Sequence, residues 1–433
     1  MMTTHDTDEH SGQGSTISDN GGFYNGNRFA PYRDSRVISA FQPIYSIAHR
    51  RIVGLEALAR GVDRNEAILS PAQLFAPREH DAIVALDRLC QRVHVDNFRA
   101  LDPPSAWLFL NVDPCTLGQK ESYMSFLRTL LRDSGLPANR FVIEVLESTI
   151  DDETALESHI RACKEMGFLI AIDDFGAGQS NFERIWRIKP DIVKLDRSMV
   201  QKAGTDPSVR SLIKGITSML HNCKCIVVAE GVETEGEAMA AMEGGVDLVQ
   251  GFYFAHPFLL SEAIKSRSGL WKDLYLRFDE LTQNSASAQT SFLAPYLQRF
   301  TQSTTGPHRA QSLPDIAQLL LTLPETIRLY QLALDGSQCY GNIDSETIKI
   351  HTRDRLRALA DAQGASWKRR DYFLNAARNP GVVQVNQPYF SIADGTLCAT
   401  LSVQTQIAGE DCIVCCDVLW DETVVSLSPH ALL

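Results

Sequence analysis

The sequence predicts an α/β protein: a closed TIM-like (β/α)8 barrel followed by a smaller α/β unit. Three observations lead there. Short apolar runs recur between Val37 and Pro257, each of strand length, most with enough chain between them for an amphipathic helix. Nearly every run ends in an acid or an amide, as strands do when their C-terminal ends converge on a barrel mouth. Past residue 312 the pattern changes to alternating runs around Asp-Gly pairs, a hairpin signal.

In chain order, residues 1–34 read as a disordered acidic tail. Met1 to about Asn27 holds Asp6, Asp8, Glu9 and Asp19, no Lys or Arg, and too few aliphatic side chains to offset ordering entropy. Residues 35–262 read as the barrel. Its runs are ISAFQPIY, GLEALAR, LFLNVD, FVIEVLE, LIAIDDFG, DIVKLD, CIVVAEG and LVQGFYFA. Eight strand-and-helix units over about 220 residues fit a closed barrel better than an open sheet.

Residues 263–312 read as connecting helices. Leu270, Leu274 and Leu281 recur among charges, and Phe292, Leu293, Tyr296 and Leu297 suggest a further short helix. Residues 313–433 read as the second unit. Strand pairs are expected about Asp335-Gly336 and Asp394-Gly395, a helical stretch from about Glu346 to Ala377, and a last strand in DCIVCCDVLW. Antiparallel strands with helices on one face make a sensor-type α/β sandwich.

The formal net charge is −12, so the chain is a poor candidate for coating duplex nucleic acid. A phosphate-ester substrate would need a metal ion to offset the repulsion. No long apolar run predicts a membrane span, and no basic region with an apolar core predicts a signal peptide. Ten scattered cysteines without a dense framework suit a reducing, cytoplasmic protein that uses thiols as small apolar groups.

The residues that end the runs carry the chemistry. Glu56, Asn111, Glu144, Asp173, Asp174 and Glu230 would converge at the mouth, and five carboxylates in one cleft repel unless cations neutralise them. Oxygen ligands without His or thiolate favour magnesium, manganese or calcium over zinc. Adjacent Asp173 and Asp174 suit a pair of ions, one Asp bridging both. Two such ions about 3.5–4 Å apart activate a water and clamp a leaving oxygen. Lys194 would hydrogen-bond the attacking water or steady phosphoryl charge. Glu147 would hold the loop 173–180, which Gly176 and Gly178 let turn tightly, or else begin a helix against its dipole. A metal-dependent phosphoesterase follows from these residues.

The same residues resemble a known family. FQPI (41–44), GLEALAR (54–60), FLNV (109–112), IEVLES (143–148), IDDFGAGQS (172–180), KLD (194–196), AEGVET (229–234) and QGFYFAHP (250–257) are similar, in order, to the EAL domain of cyclic di-GMP phosphodiesterases. The resemblance implies a TIM-like barrel with its first strand antiparallel. It implies cleavage of cyclic di-GMP to linear 5′-pGpG with Mg²⁺ or Mn²⁺ at a two-metal site. Glu56, Asn111, Glu144 and Asp173 resemble the ligands of one ion; Asp173, Asp174 and Glu230 resemble those of the other. Lys194 resembles the residue that orients the water, and Glu230 would assist its deprotonation, so Glu56, Lys194 and Glu230 are the catalytic candidates. Asp196, Gln250, Gln42 and Arg60 resemble substrate-contacting positions, and Glu147 and Glu233 loop-supporting acids. The loop and the helix after it imply a homodimer, and Ca²⁺ is expected to inhibit.

Leu146, Ala177 and Gln179 depart from the more usual Thr, Thr and Tyr; none removes a metal ligand. Relatives that lack ligands serve as cyclic di-GMP receptors acting through protein partners. The filled set here favours an active enzyme over that alternative. An enzyme for another dinucleotide or phosphodiester would carry the same set, and only the fit of the guanine pocket separates the two. The chain has no GGDEF-type cyclase motif.

The segment from Trp367 to Gln406 resembles a PAS-like or Cache-like sensor fold. Trp367, Arg370, Tyr389 and Asp417 either line a small-ligand pocket or form the core and surface of a dimerisation domain, so a small ligand or protein partner is expected there. In Cys412-Ile-Val-Cys415-Cys416, strand periodicity puts Cys412, Val414 and Cys416 on one face, as packing rather than a zinc site. Cys223 and Cys225 invite the same reading.

Overall fold

A computed structural model of the chain describes residues 21–76, 79–103, 105–146, 153–178, 182–260, 268–307, 309–346, 348, 362–392 and 395–420. The chain divides into two compact units between Leu274 and Tyr275.

Over residues 22–32 the structure replaces the expected disordered tail with strands; residues 1–20 of that tail lie outside the described residues. β1 (Gly22–Tyr24) and β2 (Asn27–Tyr32) form a hairpin, and β2 pairs with β3 (Ser35–Ser46). Asn25 and Gly26 make the turn with positive φ of 45° and 78°, as a two-residue hairpin loop requires. Asn97 pins the hairpin, accepting from the Arg28 N–H at 2.7 Å and donating to the Arg28 carbonyl at 2.9 Å. Composition alone hid this Asn-Gly signal.

Eight strands close the barrel: β3, β4 (Arg51–Val62), β6 (Trp107–Asn111), β7 (Phe141–Leu146), β8 (Leu169–Phe175), β9 (Ile192–Leu195), β10 (Ile226–Ala229) and β11 (Leu248–Val249). A short β5 (Ile68–Leu69) extends the rim of β4. β3 runs antiparallel to both neighbours, β4 and β11, and the other pairings are parallel. Between β4 and β6 lie α1 (Pro71–Leu74) and α2 (His80–Leu101), and between β6 and β7 lie α3 (Pro114–Leu117) and α4 (Lys120–Ser134). Then α5 (Glu153–Glu165), α6 (Phe182–Ile188), α7 (Arg197–Ala203), α8 (Pro207–Asn222) and α9 (Glu235–Glu243) alternate with the remaining strands.

Inside the barrel, Ile44, Phe109, Val142, Ala171, Ile192, Val228 and Leu248 form one buried layer, one from each of seven strands. β4 has Gly54 at this level. A Cβ there would lie 2.6 Å from the Phe109 ring, so the glycine makes room for the phenyl group.

The second unit begins within α10 (Ser268–Thr304), one continuous helix where separate connecting segments were expected. After α11 (Leu313–Leu320) comes an antiparallel sheet of β12 (Thr326–Leu332), β13 (Ile343–Asp344), β14 (Gln384–Val385), β15 (Tyr389–Phe390), β16 (Leu397–Ile407) and β17 (Glu410–Leu419). A turn at Asp335-Gly336 serves the first expected hairpin, and β15 pairs antiparallel with β16 about the second; Asp394 lies outside the described residues. Among the described residues of the expected 346–377 helical stretch, the helix is α12 (Asp371–Arg378), which extends to Arg378.

Helices pack on both faces of the sheet, correcting the one-face expectation. Tyr296 and Phe300 of α10 and Ile316 and Leu320 of α11 cover the face with Leu401, Cys412, Val414 and Cys416. Tyr372, Phe373 and Ala376 of α12 cover the face with Tyr330, Ile413 and Cys415. Strand β12 is buried on both sides for that reason. All ten cysteines are free, and Cys412 and Cys416 share the expected face.

Candidate active site

The site follows from strand periodicity. Side chains two apart on a strand face the same way. Two residues beyond the apolar layer therefore lies a second interior layer, nearer the mouth: Glu56 above Gly54, Asn111 above Phe109, Glu144 above Val142, Asp173 above Ala171, Lys194 above Ile192, Glu230 above Val228 and Gln250 above Leu248. On the reversed β3 the count runs backwards, from Ile44 to Gln42, which pairs directly with Glu56.

In a regular strand Asp173 and Asp174 would face opposite ways. The β8–β9 register breaks between Ile172 and Phe175, and Asp174 takes a positive φ of 56°. This bulge brings both aspartates to the mouth. Carboxylate oxygens of Asp173, Asp174 and Glu230 lie within 4.8 Å of one another, close enough to share a metal ion.

Lys194 is the hub. Its ammonium lies 2.5 Å from Glu230 Oε1, 2.6 Å from Glu144 Oε1, 3.2 Å from Asp173 Oδ1 and 3.6 Å from Glu56 Oε2, with 1% of its side chain exposed. Burial opposes its charge, but the four carboxylates hold its pKa well above the ordinary lysine value. The sequence reading gave Lys194 a water-orienting role and missed this one, the counter-cation of the acidic ring. Its seat among run-ending acids was the available signal.

The acids respond differently. Burial works against ionisation of Glu56, yet Lys194 and hydrogen bonds from Gln250 and Asn111 hold its carboxyl below the usual range. Gln250 Nε2 donates to Glu56 Oε2 at 2.5 Å, and Asn111 Nδ2 to Oε1 at 3.0 Å. Burial pushes Glu144 well up despite Lys194, with Glu56 and Asp173 adding repulsion. Burial likewise lifts Glu230 to about 8 against the pull of Lys194. Asp174 is raised by burial and by its neighbours Asp173 and Asp196.

The remaining candidates lie around this centre. Gln42 Oε1 accepts from Gln250 at 3.2 Å. Arg60 donates to the Ala59 carbonyl at 2.8 Å; burial works against its charge and Glu56 supports it. Asp196 caps α7, accepting from the Ser198 N–H at 2.9 Å. Glu233 pairs with Arg197 at 2.9 Å. Glu147 and Gln179 lie outside the described residues.

A sequence model of the EAL domain matches residues 30–257, more than half of the chain. Among curated proteins, the chain is 29% identical over 237 residues to the probable cyclic di-GMP phosphodiesterase PdeI of Escherichia coli, covering 52% of this chain and 29% of that protein. It is 26% identical over 231 residues to the signaling protein YkoW of Bacillus subtilis, covering 52% of this chain and 28% of that one. The matched stretch thus spans under a third of either relative. The EAL-domain containing protein YkuI of Bacillus subtilis is 25% identical over 352 residues, covering 78% of this chain and 83% of YkuI. The crystal structure of YkuI with c-di-GMP and calcium gives a TM-score of 0.75 at 21% identity over 89% of this chain and 96% of that one, a likeness of fold.

Proposed function

The chain belongs to the EAL domain family, and on that premise we propose that it is a divalent-metal-dependent phosphodiesterase that opens cyclic di-GMP to linear 5′-pGpG. One observation carries this reading: every position among Glu56, Asn111, Glu144, Asp173, Asp174 and Glu230 is filled by an oxygen donor, and a bulge turns two consecutive aspartates toward Glu230, the three carboxylates lying within 4.8 Å of one another. The name of PdeI as a probable phosphodiesterase for cyclic di-GMP supports the substrate.

The donor set fits hard cations, having carboxylate and amide oxygens and no thiolate or imidazole. Glu56, Asn111, Glu144 and Asp173 would hold one ion, and Asp173, Asp174 and Glu230 the other. Bound Mg²⁺ or Mn²⁺ would supply charge neutralisation and make a water acidic enough to give up a proton and become the nucleophile. The chain's own groups do the rest. Gln250 and Asn111 each grip one oxygen of Glu56 and so fix the plane of that carboxylate. Lys194 hydrogen-bonds the incoming water or a phosphoryl oxygen, and Glu230 accepts the water's proton. Gln42, Arg60, Asp196 and Gln250 contact phosphate and sugar at the rim, and Glu147 and Glu233 support the loop.

Phe182 and Trp186 on α6 are 43% and 62% exposed, which supports a homodimer through that helix. The second unit acts as a PAS- or Cache-like regulatory module responsive to a ligand or partner protein. Ten free thiols support a reducing, cytoplasmic setting; among the described residues no helix is long and apolar enough to cross a membrane.

The test is incubation of the purified chain with cyclic di-GMP and Mg²⁺ or Mn²⁺, with products resolved by chromatography. Conversion to 5′-pGpG is expected. Tight binding of intact cyclic di-GMP without conversion would replace the enzyme with a receptor.

A further inference from the structure

A pocket opens on the α12 side of the second unit's sheet. Its floor is the buried ion pair of Arg328 and Asp417, Nε to Oδ2 3.3 Å. The pair cancels its own charge. Asp417 Oδ1 also accepts from Thr400 Oγ1 at 2.6 Å and from the Tyr330 hydroxyl at 3.3 Å, so the floor acid is already supplied with donors.

The walls are aromatic. The rings of Tyr372 and Tyr389 lie 5.8 Å apart. Trp367 is held by its Nε1–H, which donates to Gln338 Oε1 at 2.9 Å. At the edge, half-buried Arg370 lays its guanidinium over the Tyr389 ring, 5.3 Å from the centroid. Arg370 makes no ion pair among the described residues, and it is the residue that opens α12, at the positive end of that helix. The next acid along, Asp371, is exposed.

Among the described residues of its lining, the pocket thus carries one positive charge that no acid balances, set against flat apolar rings. We propose that it is a binding site for a small organic anion, a short-chain carboxylate. The carboxylate takes the two-pronged guanidinium of Arg370, and the carbon body lies against Tyr389, Tyr372 and Trp367. The cavity is small, which limits the guest to a few heavy atoms. Trp367, Arg370, Tyr389 and Asp417, which the sequence leaves as either pocket lining or the core and surface of a dimerisation domain, all line this pocket, together with Arg328, Tyr330, Gln338 and Tyr372. Binding here is separable from turnover in the barrel, so the test reads binding alone.

The experiment titrates the full chain with sodium acetate, propionate and pyruvate at constant ionic strength, with neutral acetamide as control. Tryptophan fluorescence and the unfolding temperature are followed. The expected result is a saturable response to at least one of the carboxylates and none to acetamide. Arg370→Gln should weaken binding by about tenfold or more, the loss of a charge-assisted hydrogen-bonded pair. Trp367→Phe should keep the thermal shift while losing most of the fluorescence change, which ties the response to this pocket. No saturable response to any of the three carboxylates would overturn the proposal. So would equal binding by Arg370→Gln, or equal binding of acetamide.

Discussion

Lys194 Nζ stands 2.6 Å from Glu144 Oε1, with both side chains sealed from solvent. Breaking one partner of such a pair leaves a buried charge without compensation. The barrel mouth therefore has a built-in cation, and five carboxyl groups share it. Burial raises the carboxyls of Glu144 and Glu230 beyond the usual carboxylate range, and the neighbouring acids add to it, because one ammonium cannot balance them all.

Replacing Lys194 by Ala should slow the chemical step more than it weakens substrate binding, and should destabilise the metal-free protein by roughly 3–5 kcal/mol. Single-turnover rates, a binding titration and thermal unfolding in a chelator test this. A large affinity loss at unchanged turnover would contradict the assigned role.

Glu56→Ala should abolish turnover while the barrel stays folded. Gln250 and Asn111 would lose the acceptor they share, a cost of about 1–3 kcal/mol that the domain can absorb. Product chromatography and circular dichroism are the measurements; turnover retained in a folded variant would sink the ligand assignment.

Mg²⁺ or Mn²⁺ should support activity, and added Ca²⁺ should suppress it. Calcium accepts loose, variable coordination and holds a two-ion clamp poorly. Equal rates with calcium and magnesium would count against this arrangement.

Stability should carry a signature of Asp87, buried on α2 beside Gln91, which donates to it at 3.0 Å. Burial raises its carboxyl from 3.8 to about 7. Below the ordinary value both folded and unfolded chains hold the proton. As pH rises toward 7 the unfolded chain releases it first, so the stabilisation is lost through that window. Asp87→Asn should therefore be more stable than the parent at pH 8, by on the order of a few kcal/mol, and not at pH 4. Denaturant melts at the two pH values decide; an equal difference at both would refute the effect.

Gly54→Ala should destabilise the barrel by about 1–3 kcal/mol, because the added methyl meets the Phe109 ring. Phe109→Leu in the same chain should recover part of the loss. Additive effects in thermal unfolding would show that the two positions do not share that space.

Much of the barrel was legible because strand periodicity is local. The step of two from Phe109 to Asn111, or from Ile192 to Lys194, is written in the sequence and needs only the assumption of closure. What escaped depends on geometry the pattern lacks. Asp173 and Asp174 read as neighbours, but the bulge that aims both inward is a register event between two strands. Asn25-Gly26 was visible and was outweighed by the polar composition around it. Residues 263–312 read as separate connecting helices, yet Ser285 and Gln289 are buried along one continuous helix. The second face of the C-terminal sheet went unseen because Ile413 and Cys415 read as strand-interior residues whichever helix covers them.

The reversal of β3 has an architectural consequence. Gln42 marks its mouth-side half, so Ser35 and the β2 strand paired to it lie on the reactive rim rather than at the barrel's base. The polypeptide threads into the barrel past its own reactive opening. A fusion partner joined directly ahead of Gly22 would therefore emerge on the side of the acidic mouth, whereas in an all-parallel barrel the same fusion would hang from the opposite end.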